Sequence, residues 1–133
     1  MLKQGLLAAV AAVMFGTSAG ADVPILSGNY VFNAVENCVA SSGTFSQVSG
    51  IIKFDADTGK AEQDGFLVSG DPVTLQHFKG TGTYSNSKST LTLDTDTFQA
   101  TYGKLSKGIA TYVSYIGLSA SGNCGVQGWL SRK

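Results

Sequence analysis

The side chains able to do chemistry in this sequence are few and scattered. The single histidine, His77, lies in Val73–Lys79 (VTLQHFK), where alternation puts it on one face with Val73 and Leu75. On an inward strand face such an imidazole would act as general acid or base, or orient a ligand. Acidic pairs stand in two turns, Asp55-x-Asp57-x-Gly59 and Asp94-x-Asp96. The first resembles the opening of a calcium loop, with Glu62 and Asp64 nearby. It lacks the third oxygen ligand before the glycine and the distal bidentate Glu that a hard cation needs, so it reads as a solvated hairpin. Glu36, Glu62, Asp64 and Asp71 are carboxylates that paired acid–base work would draw on, once the fold sets their separation. A G-x-S-x-G nucleophile elbow is absent, and Gly80-Thr81-Gly82-Thr83 opens no helix that would cradle a phosphate. These patterns name no catalytic residue, metal site or cofactor.

The first segment indicates the compartment. Lys3 is followed by the uncharged apolar run Leu6–Phe15 (LLAAVAAVMF) and then by small residues ending in Ala19-Gly20-Ala21. This is the layout of a bacterial secretory signal, with cleavage expected after Ala21, and the run is too short for a membrane span of about 20 residues. Residues 22–133 are then a single exported domain, periplasmic or secreted, and not membrane-embedded once the leader is removed. Cys38 and Cys124, without CxxC spacing in an exported chain, read as one structural disulfide. Closing so long a loop contributes on the order of 4 kcal/mol in the chain-entropy picture. Charged residues make up 14% of the chain and balance to zero, which excludes the basic footprint of a nucleic-acid partner.

The remaining candidates are aromatic, and they need a scaffold to bring them together. After Ala21 the chain is rich in Thr, Ser, Val, Tyr and Phe and carries little helical signal. Period-two alternation sets Tyr30, Phe32 and Ala34 against Val31, Asn33 and Val35, and recurs in later runs. In the last two runs, Tyr112, Ser114 and Ile116 interleave with Val113, Tyr115 and Gly117, and Val126, Gly128 and Leu130 with Gln127 and Trp129. Turn residues separate strands expected at 28–35, 48–54, 61–68, 73–86, 89–94, 97–102, 109–118 and 125–131, with a break expected at Gly80 or Gly82. Turn sequences include Ser85–Lys88, Gly103–Gly108 (GKLSKG) and Ser119–Asn123 (SASGN).

This pattern predicts an all-β domain, a small antiparallel barrel of about eight strands. A two-sheet sandwich is the alternative. Closure removes the strand edges that a sandwich must protect, and a Cys38–Cys124 bond would join the first strand to the last. Aromatics on nearly every strand would then line a cavity or fill it, and Tyr30, Phe32, His77, Tyr102 and Tyr112 are the candidate ligand-binding residues.

The run Gly28-Asn29-Tyr30-Val31-Phe32, then Cys38, Gly50-Ile51-Ile52-Lys53-Phe54-Asp55 with Gly59, and Gly80-Thr81-Gly82-Thr83-Tyr84 resembles small exported bacterial proteins of uncharacterised function. Its rhythm is similar to that of calycin-like and allene-oxide-cyclase-like barrels. Gly28-Asn29-Tyr30 stands where lipocalins carry G-x-W, and no cyclase motif matches, so no functional residue is carried over. The aromatic-rich strands and the expected barrel together lead to the first expectation, a non-enzymatic barrel that binds a small apolar or amphipathic ligand. A surface module for protein or glycan contacts and a cyclase-like barrel enzyme are the other two expectations.

Overall fold

A computed structural model describes residues 22–38, 44–70 and 72–133. The expected leader (1–21) and Asp71 lie outside the described residues. Eight antiparallel strands close into a barrel in sequence order: β1 Gly28–Cys38, β2 Thr44–Asp55, β3 Lys60–Ser69, β4 Thr74–Asn86, β5 Thr90–Leu93, β6 Asp96–Ser106, β7 Ile109–Leu118 and β8 Cys124–Arg132. The pairing of β1 with β8, from Tyr30↔Arg132 to Cys38↔Cys124, makes this a barrel and excludes the sandwich. Cys38 and Cys124 are bonded to each other at the end of that ladder.

Local chemistry explains the turns. Between β2 and β3, the Asp57 N–H donates to Asp55 Oδ1 at 3.0 Å and Gly59 takes φ +73°. The acidic turn is thus a hairpin held by its own side chain. Glycines also set the curvature. Gly50 and Gly65 face each other across β2 and β3, and a Cβ on Gly50 would lie 2.3 Å from the Asp64 carbonyl oxygen. Two strands can approach this closely only without side chains there, and the sheet coils tightly at that point.

Two expectations need correction. β4 runs through Gly80 and Gly82 without a break. Gly82 serves a different purpose: a Cβ would stand 2.4 Å from Asp94 Oδ1, so its bare backbone admits that carboxylate. The GKLSKG segment is mostly strand, since β6 continues to Ser106.

Inward positions carry the core: Tyr30, Phe32, Ile52, Phe54, Leu91, Phe98, Val113, Tyr115 and Leu130 are all buried. Each such side chain contributes about 1.5–3 kcal/mol by leaving water. Outward positions mix Thr, Ser, Lys and acidic residues with scattered apolar ones such as Ile116, Leu118 and Trp129. Among the described residues no helix is long and apolar enough to cross a membrane.

Candidate functional site

The two ends of the barrel are built differently. At one end the segment leading into β1 lies across the opening. The Ile25 N–H donates to the Gly108 carbonyl at 2.9 Å, and the Ala110 N–H donates to the Ile25 carbonyl at 2.8 Å. Side chains from the wall fasten it further. Tyr84 Oη donates to the Leu26 carbonyl at 2.7 Å, Asn86 Nδ2 to Pro24 at 2.8 Å and Arg132 Nε to Ser27 at 2.9 Å. Leu26 is buried beneath, where Tyr30, Phe54 and Tyr84 stack edge to face. This end is a plug.

The opposite end is open. A cavity of about 320 Å³ runs down from the disulfide end, within the range of small-ligand sites. Phe32, Ile52, Phe98, Leu130 and Tyr115 form its apolar lower wall, and Glu36, Ser46, Asp94 and Asp96 stand higher, toward its mouth. The carboxylates are only partly engaged. Asp94 accepts the Thr83 N–H at 2.9 Å, Asp96 accepts the Ala120 N–H at 2.7 Å, and Glu36 takes a long 3.4 Å contact from Ser46 Oγ. A carboxylate has about four acceptor positions, so each keeps capacity toward the cavity.

Tyr115 is the exception among the inward-facing tyrosines. Tyr30, Tyr84 and Tyr102 donate their hydroxyls to the carbonyls of Ala110, Leu26 and Thr90. Tyr115 is only 4% exposed, yet among the described residues its hydroxyl has no hydrogen-bond partner. Burial alone pushes its pKa up to about 12. Its ring lies over Gly128, its cross-strand partner, where a Cβ would come within 2.5 Å of the phenol, and it packs on Phe98 at 5.3 Å between centroids. A buried hydroxyl without a partner is uncommon, and here it belongs to a side chain that lines an open cavity.

Of the five ring residues expected to bind ligand, only Phe32 lines this cavity. Tyr30 and Tyr102 are inward but committed to the core, and burial raises the Tyr102 pKa to about 12. His77 and Tyr112 stand on the outside of the barrel. His77 Nε2 lies 2.7 Å from Asp64 Oδ1 beside Phe66, and that contact holds the Asp64 carboxyl below its ordinary range. Tyr112 borders a shallow depression with Lys104 and Arg132. Of the carboxylates weighed for acid–base work, Glu36 is at the mouth and Glu62 is exposed on β3. Among the described residues the one trio of metal-type ligands within 4.8 Å is Glu36, Cys38 and Cys124. With both sulfurs in the disulfide, only the carboxylate is left to ligate. The signal for Tyr115 lay in the interleaving with Gly117 and in Gly128 on the next strand.

No known protein family, curated protein or solved structure matches this chain.

Proposed function

We propose that the protein is an exported binding protein that holds a small amphipathic molecule in the open half of its barrel. One observation carries this reading: the buried Tyr115 hydroxyl, without a partner among the described residues, on the wall of a cavity that opens to water. A ligand with an apolar body would displace water from the Phe32, Ile52 and Phe98 wall. One acceptor atom on it would accept a hydrogen bond from the Tyr115 hydroxyl, and a polar or cationic head would meet Glu36, Asp94 and Asp96. At 25 cal/mol per Å² the apolar contact supplies most of the affinity, and the phenol and carboxylates set orientation. The expected secretory leader and the resemblance to calycin-like barrels agree with the same reading. So does the inner wall, where aromatic and aliphatic side chains lie below a rim of carboxylates.

The test is fluorescence titration with 1-aminoanthracene, a flat apolar probe bearing one amine, on the wild type and on Ala34→Phe, which narrows the cavity. Enhanced emission with the wild type, lost in the variant and accompanied by a raised melting temperature of the wild-type complex, is the expected result. Equal emission from both proteins, or none from either, would overturn the proposal.

A further inference from the structure

The barrel is closed, but its ladders are unequal. β3 pairs with β4 along all ten positions from Lys60↔Thr83 to Ser69↔Thr74, whereas β5 pairs with β4 only at Tyr84, Ser85 and Asn86. Asp94 ends that ladder. Its N–H donates to the Thr83 carbonyl at 2.8 Å, and its carboxylate accepts the Thr83 N–H. At φ +54° it also reverses the chain into β6. Beyond this cap, residues 74–82 of β4 have no strand on that side among the described residues.

In an antiparallel strand, alternate residues point both backbone groups to the same neighbour. Thr83 points to the β5 side, so Leu75, His77, Lys79 and Thr81 do too. Four N–H and four C=O groups therefore face outward from one edge. The outer face beside this edge is open, with Leu75 67% exposed.

We propose that this edge pairs with the same edge of a second copy, joining two barrels through a β3–β4–β4–β3 sheet. The pairing is antiparallel about a twofold axis at Phe78. Only that register sets Leu75 opposite Thr81 and His77 opposite Lys79, satisfying all eight outward groups. The ends match as well. β4 begins at Thr74, which falls opposite Gly82, so the second strand turns off into its own hairpin one residue before the Asp94 cap. Charge is compatible with this register. Each Lys79 meets the second copy's His77, whose ring is already backed by an Asp64 carboxylate. Apolar Phe66 and Val68 are exposed on the same hairpin and would flank the seam. Such an interface is isologous, the commonest symmetry of soluble oligomers.

Register is what the test reads. The chain has no free cysteine among its described residues. A Phe78→Cys variant, with its Cα about 4.5 Å from its twofold mate, should form an interchain disulfide under mild oxidation. Gly80→Cys should not, because its mate is displaced four residues along the strand, about 13 Å away. Lys79→Pro removes an outward N–H without touching the β3 ladder and should weaken association by about tenfold or more in analytical ultracentrifugation, with an unchanged circular dichroism spectrum. The unmodified protein should sediment as a dimer. A monomer at high concentration, crosslinking of Gly80→Cys equal to that of Phe78→Cys, or an undiminished dimer of Lys79→Pro would overturn the proposal, as would docking of a different chain on this edge in its place.

Discussion

The plugged and open ends of this barrel are made of the same strands and the same residue types, yet they are finished differently. At the plugged end every tyrosine hydroxyl that reaches the core finds a main-chain carbonyl, three of them across more than ten residues of sequence. At the open end Tyr115 is buried too, and among the described residues its hydroxyl finds none. Polar satisfaction is what a structure needs for stability, and an unmet group is a cost of about 1–3 kcal/mol unless something else meets it. The plugged half thus closes the fold with satisfied groups, and in the function proposed above the open half receives the ligand.

The largest test of this contrast is the tie at the open end. Replacing Cys38 and Cys124 by Ser should lower stability by about 4 kcal/mol in urea unfolding, because it frees a loop of 86 residues in the unfolded chain. A reductant should reproduce the loss in the wild type. An unchanged midpoint would mean that the hydrogen-bonded ladder alone closes the barrel.

Next is the plug itself. Leu26→Ala should cost about 3 kcal/mol, the usual loss for a fully buried leucine, whereas Leu67→Ala at the mouth should cost under half of that. Equal losses would erase the distinction between a packed end and a receptive one.

The sharpest comparison is a pair of single-atom deletions. Tyr30→Phe strands the Ala110 carbonyl and should destabilise by about 1–2 kcal/mol. Tyr115→Phe removes a hydroxyl with no partner among the described residues, so it should stabilise the ligand-free protein by about 1 kcal/mol or more. It should also weaken binding of any ligand that offers an acceptor. If Tyr115→Phe proved as damaging as Tyr30→Phe, the hydroxyl would have a structural role.

The smallest effect at neutral pH becomes visible only in alkali. Burial raises the Tyr102 and Tyr115 pKa values from 10.0 to about 12, so the folded state favours the neutral phenols. That contribution is intact below about pH 10 and is lost as pH climbs from 10 toward 12. Melting temperature should fall across this window, and the fall should be shallower in Tyr115→Phe.

Much of this architecture was legible in the residue order. Alternation placed Tyr30, Phe32 and Ala34 on one face, and Phe98, Ala100 and Tyr102 on another, and the barrel keeps each set together on its inside. Alternation divides a strand into two faces without saying which is inward, and β7 is where this mattered. Tyr112 was the aromatic expected in the site, but the face with Val113, Tyr115 and Gly117 turns inward because it is the one that packs on Gly128 and Leu130. His77 sits outside for a similar reason. Its strand neighbour Phe78 takes the inner side, partly buried against the core.

Composition, turn chemistry and period-two patterning were enough to determine eight strands, their approximate limits and a disulfide between the first and the last. These are properties of short stretches of chain and of the solvent they avoid. The tertiary structure decided the rest: closure through β1 and β8, the segment that plugs one end, and the early stop of β5 at Asp94 that leaves part of β4 unpaired. It also decided the hydroxyl left over at Tyr115. Each of these depends on which distant groups meet, and hydrogen bonds and packing are settled by register across strands, which no local pattern encodes.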